Sequence, residues 1–208
     1  MKLQFISNKY IITAQQYLII SIPFLLITGP FLPDLALVIT SILFLVYVFK
    51  NKDFKYFEST FFKLFIIFNL YIILSSLLSD HVLYSLKTSL TYFRFSLFCL
   101  SVWLVLDHKP STIKYLFFSF LLIYSFLVLD GLKQFFTKEN LFGVYLASGH
   151  RVSSLFGDEA ILGSYLSRLL PMFFACLIFL NKENKNKNYF YYFIFLFVLI
   201  DILVFVTA

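Results

Sequence analysis

Apolar runs of membrane-crossing length follow one another along almost the whole chain, and no other feature restricts the fold so sharply. They cover Ile11–Thr28, Leu35–Phe49, Phe62–Ser79, Thr88–Leu106, Ile113–Leu129, Ile161–Leu180 and Tyr189–Ala208. A transmembrane helix needs about 20 predominantly apolar residues, so about seven spans use up most of the 208 residues. The runs predict an all-α, polytopic transmembrane helix bundle, with residues 1–208 as a single domain and almost no room for a soluble one. Composition agrees: 61% of the residues are hydrophobic and 13% charged, against roughly 45–50% and 25% in soluble domains. Thirty Phe and fourteen Tyr exclude a disordered chain.

The breaks between runs carry the topology. Gly29-Pro30-Phe31-Leu32-Pro33-Asp34 separates the first two runs, and proline and glycine punctuate helices, so the segment reads as a helical hairpin. No small-residue cleavage site follows the first run, which argues against a removed signal peptide. A basic connection follows at Lys50–Lys55, short breaks at Asp80-His81 and Asp107–Pro110, a long polar connection over residues 130–160, and a polar loop at Asn181–Asn188. With the N-terminus inside, eleven lysines fall on the inner side. The outer segments hold four cations, Lys87, Lys133, Lys138 and Arg151. That bias predicts a cytoplasmic N-terminus and an exterior or periplasmic 130–160 connection. The excess of cations, +6 overall, is thereby explained by topology rather than by nucleic acid.

Cys99 and Cys176 both lie inside apolar runs, so they read as small packing residues rather than a disulfide. His81, His108 and His150 fall in different connections, with neither H-E-x-x-H nor a Cys/His cluster, so no metal and no cofactor is expected. The last run ends in Val206-Thr207-Ala208 with no charge or aromatic anchor, and the chain is therefore expected to be a fragment or the front part of a longer protein.

Ionisable residues within or beside the spans are the candidates for chemistry, because a charge at membrane depth is costly unless it has a partner or a polar cavity. Lys87, Thr91, Arg94 and Ser101 share one helical face by their spacing. That face is either a cationic stripe for an anionic headgroup or an arginine that snorkels or pairs with an acid elsewhere in the bundle. The most unusual stretch runs from Gly149 to Ala160. It places Arg151, Ser153, Ser154, Asp158 and Glu159 ahead of a span on which Ser164 and Arg168 follow at i, i+4. Asp158 and Glu159 suit a general base for a sugar hydroxyl, and equally the N-terminal end of a helix, where the macrodipole favours anions. Pro171 removes the amide partner of the Ser167 carbonyl. Asp201, deep in the last run, either pairs across the bundle with Arg94 or Arg168 or relays protons.

Arg151 through Pro171, R-V-S-S-L-F-G-D-E-A-I-L-G-S-Y-L-S-R-L-L-P, resembles the signature of the O-antigen ligase/polymerase family of membrane proteins. In that signature an arginine precedes a Gly/Phe turn, a polar residue (commonly within Pro-Asn) and a small-residue helix that ends near a proline. Arg94 in Thr91-Tyr92-Phe93-Arg94-Phe95 is similar to the family's earlier intramembrane arginine, and Ser75-Ser76-Leu77-Leu78-Ser79 has the family's look. Glu159-Ala160 stands where the family has Pro-Asn. The resemblance implies metal-independent glycosyl transfer on the outer face of a bacterial inner membrane, in lipopolysaccharide or other surface polysaccharide biosynthesis. The donor would be a polyprenyl-diphosphate-linked oligosaccharide, and the acceptor a lipid A core sugar or another lipid-linked glycan. Arg151, Asp158 and Glu159 would be catalytic, and Lys87, Arg94, Ser164 and Arg168 would bind substrate. A transporter or flippase of lipid-linked sugars and a non-catalytic membrane subunit are the competing readings.

Overall fold

In the computed structural model of the protein, residues 2–145, 152–157, 159, 161–184 and 188–207 are described. They form eight α-helices: α1 (Lys2–Leu25), α2 (Phe31–Asn51), α3 (Thr60–Leu77), α4 (Val82–Thr91), α5 (Phe93–His108), α6 (Thr112–Thr137), α7 (Leu162–Asn184) and α8 (Asn188–Thr207). Among the described residues there is no strand, only an isolated bridge between Glu139 and Tyr145. The expected all-α helix bundle is the observed one. Six stretches are long and apolar enough to cross a membrane: Asn8–Thr28, Phe31–Asn51, Thr60–Leu77, Val82–His108, Thr112–Thr137 and Leu162–Lys182. A shorter apolar stretch, Phe190–Ile200, lies on α8. The Val82–His108 stretch is two helices joined at Tyr92, so Arg94 stands in the first turn of α5 rather than inside an unbroken span.

The helices are apolar on the outside as well as the inside, as spans must be. On α3 the residues Leu64, Ile67, Leu70, Tyr71 and Leu74 are exposed, while Phe62, Asn69 and Ser76 form the buried seam. That seam repeats every seven residues, the interval at which a helix returns nearly to the same face. Ser76 and Ser79 meet Ser85 of α4 through hydrogen bonds of 3.4 and 2.9 Å, a small-residue contact that lets the two helices approach closely.

The chain divides into two compact units, Met1–Ile22 with Gly29–Thr112, and Pro23–Thr28 with Ile113–Ala208. In the first, α2 and α5 pack in parallel. Asp34 meets Arg94 near their N-terminal ends, Ser101 approaches the Thr40 carbonyl at mid-height, and the Tyr47 hydroxyl meets His108 Nε2 near their C-terminal ends. Parallel packing is what alternating topology requires of two spans separated by one other. A second aromatic and polar set closes the unit at the end where α2 and α5 finish. Tyr56 is buried and donates to Asp107, which also accepts from the Trp103 indole. Burial, then the Asp107 carboxylate, holds the Tyr56 phenol above its ordinary pKa, so it stays a donor.

In the second unit, α6 presents Leu116, Phe117, Phe120, Ile123, Tyr124, Leu127 and Val128 to the core at helical spacing. Phe173 of α7 is the hub. Its ring stacks on Phe117 and Tyr124 at 5.0 and 5.6 Å and meets Phe193 of α8 at 5.4 Å. α7 runs through Pro171 without ending.

Candidate functional site

The long connection expected from Asp130 onward begins later, because α6 continues to Thr137. Its last two turns carry the reason. Asp130 and Gln134, at i and i+4, share a face and are fully buried, yet they are polar. A buried polar side chain must be satisfied, and here the loop's own backbone does it. Asp130 accepts from the Leu141 amide at 2.8 Å and from the Ser154 hydroxyl at 2.5 Å. Gln134 Oε1 accepts from the Ser153 and Ser154 amides at 3.0 and 2.7 Å, and Nε2 donates to the Val144 and Tyr145 carbonyls. Asn140 completes the clasp by donating to the Ser154 carbonyl at 2.8 Å and accepting from the Phe142 and Val144 amides. Both limbs of the connection are thus held against one end of one helix.

The clasped limb then turns. Ser154–Phe156 is a 3₁₀ turn whose first residue adopts φ +52°, left-handed for a non-glycine. Such a conformation persists when surrounding contacts fix it, and here Asp130, Gln134 and Asn140 supply them. Gly157 follows at φ 61°, ψ −126°, a region essentially reserved for glycine. The Ile161 amide bonds to the Glu159 carbonyl at 2.9 Å, and Ile161 in turn accepts from the Tyr165 amide at the start of α7. The helix begins at Leu162, so Glu159 precedes the first turn and is solvent-exposed.

These elements surround an open cavity of about 280 Å³ lined by Leu26, Phe156, Ile161, Ser164, Tyr165, Arg168 and Leu169. Ser164 and Arg168 lie one helical turn apart and both reach it, as their spacing predicts. Phe156 packs on the Tyr165 ring at 5.4 Å. The Tyr165 hydroxyl donates to the Pro23 carbonyl at 2.5 Å. α1 ends at Leu25, so this carbonyl has no intrahelical partner, and the tyrosine both caps the helix and fixes Leu26 as a wall. The result is the Arg168 guanidinium and the Ser164 hydroxyl set among apolar groups at the end of a span, with the Tyr165 hydroxyl engaged by Pro23.

The other expected residues fall elsewhere. Arg151 and Asp158 lie outside the described residues, as does the side chain of Asp201. Arg94 donates from Nη1 to Asp34 at 2.8 Å, with the two side chains 36% and 41% exposed. Of the two readings of that arginine, pairing with an acid is the arrangement seen, and the acid is one from the Gly-Pro break. Lys87 and Thr91 are exposed, whereas Ser101 is buried and bonds to Gln15 and the Thr40 carbonyl. The proposed stripe on α4 and α5 is therefore split among a surface, an ion pair and an interhelical contact. Sequence reasoning missed Asp130 and Gln134; their i, i+4 spacing at the end of an apolar run was the available signal.

The described fold is that of a polytopic α-helical protein with membrane-length spans. Comparison with protein-family models, curated protein sequences and solved structures returns no match to the chain.

Proposed function

We propose that the protein is a membrane glycosyltransferase of the O-antigen ligase/polymerase type. It would transfer oligosaccharide from a polyprenyl-diphosphate donor to a sugar acceptor at the periplasmic face of a bacterial inner membrane. The observation that supports this is the cavity at the start of α7, where Arg168 and Ser164 stand among Leu26, Phe156, Ile161 and Leu169. A lipid-linked diphosphate needs a cation for its head and apolar walls for its first isoprene units, and these residues supply both. In this reading the acceptor hydroxyl attacks the anomeric carbon of the donor sugar, and its proton passes to Glu159 or Asp158. The C1–O bond to the diphosphate breaks, and the leaving group takes the electron pair under the field of Arg168 and Arg151. Arg94, held by Asp34, is left a subsidiary part.

The test is glycan transfer in membranes that contain the protein, a polyprenyl-diphosphate oligosaccharide and a lipid A core or lipid-linked acceptor. Arg168→Gln should lower the rate on the order of 10²–10³-fold, the usual cost of removing one group that stabilises developing charge. Transfer at the wild-type rate in that variant would sink the reading.

A further inference from the structure

We infer that Asp130 and Gln134 are positioning residues for the α7 cavity, acting through the Ser154–Phe156 turn on its aromatic wall. The inference rests on the lipid-phosphate reading of that cavity. Neither side chain lines it; both are fully buried on α6. Their contacts nonetheless run to it in one short path. Asp130 holds the Ser154 hydroxyl, and Gln134 holds the Ser153 and Ser154 amides. The Phe156 amide then bonds back to the Ser153 carbonyl at 3.0 Å, which closes the turn and sets the direction of the Phe156 ring. That ring stands against Tyr165, and the two are adjacent members of the cavity lining. Ser154 in a left-handed conformation marks the dependence: without its three partners the residue would relax toward negative φ, and Phe156 would turn with it.

A purely structural clasp and a positioning clasp differ in one measurable respect. If Asp130 acts on the cavity through Phe156, removing both should cost no more affinity than removing Phe156 alone. The experiment measures binding of a polyprenyl phosphate to the full chain in nanodiscs, with unfolding midpoints recorded alongside. Phe156→Ala and Asp130→Ala are each expected to weaken binding about tenfold, and the double variant also about tenfold rather than 100-fold. Asp130→Asn keeps an acceptor for the Leu141 amide and a donor for Ser154 Oγ. It should bind within about twofold of wild type, whereas Gln134→Leu should fall with Asp130→Ala. Should Asp130→Ala fail to fold, the Gln134→Leu and Phe156→Ala pair gives the same cycle. Multiplicative losses, or unchanged binding in Asp130→Ala and Gln134→Leu, would overturn the positioning role. Arg168→Gln separates this from the parent reading: if that variant binds the lipid phosphate as wild type does, the cavity itself is misassigned, whatever the clasp does.

Discussion

Arg94 and Asp34 join residues 60 positions apart through one hydrogen-bonded ion pair. The pair is partly exposed, so the Coulomb attraction is screened by whatever wets that end of the helices, and its value is modest. Polar contacts between membrane helices average below about 1 kcal/mol for the same reason that their unfolded reference state also finds partners. Asp34→Asn and Arg94→Gln should therefore each destabilise the protein by about 1 kcal/mol, and the double variant by little more than either. Unfolding in mixed detergent micelles checks this; fully additive losses would show that the two side chains do not depend on each other. Neither partner could be chosen from the sequence, because the spacing of Arg94 exposes it to several acids and only the parallel packing of α2 on α5 selects Asp34. By contrast Ser164 and Arg168 were legible, since i, i+4 spacing on one helix needs no tertiary information.

Helix ends show how local chemistry is overruled or reinforced. α2 stops at Asn51, and Lys52 takes φ 54°, ψ 33°, with its amide on the Val48 carbonyl. This is a left-handed C-terminal cap, normally a glycine's place. Lys52→Gly should stabilise the fold by about 0.5–1 kcal/mol, the side-chain strain relieved exceeding the added freedom of the unfolded chain. A higher unfolding midpoint in detergent is the expected result, and a lower one would mean that the lysine makes a contact worth more than the strain. α6 is the opposite case. Its apolar run gives out at Leu129, which is where hydropathy ends the span, but the helix persists for two turns because the loop needs Asp130 and Gln134. Apolar periodicity reports what faces lipid or core and is silent on polar side chains recruited to bind backbone.

For the whole molecule, hydropathy carried the architecture: most spans were visible as runs, and the all-α class follows from them. The join at Tyr92 was not visible, since no glycine or proline punctuates Thr88–Leu106. Charge distribution adds an orientation that single-cysteine labelling can test. In a background where Cys99 and Cys176 are replaced by alanine, Phe142→Cys should react with an impermeant maleimide on intact cells. Lys52→Cys should react only after permeabilisation. The reverse pattern would invert the topology and overturn the proposal that the cavity at the start of α7 opens on the outer face.

One amide group, that of Gln134, receives the chain at Tyr145 and again at Ser153. The backbone thus leaves and returns at a single point, like a thread passed twice through one eyelet. A stretch inserted directly after Tyr145 should cost the fold little, because doubling a loop costs only about 0.6 kcal/mol of closure entropy. An epitope tag spliced in after Tyr145 should be carried without loss of expression or thermal stability, whereas the same tag spliced in after Leu141, between the Asp130 and Gln134 contacts, should not. A laboratory wishing to give the chain a handle has its address there.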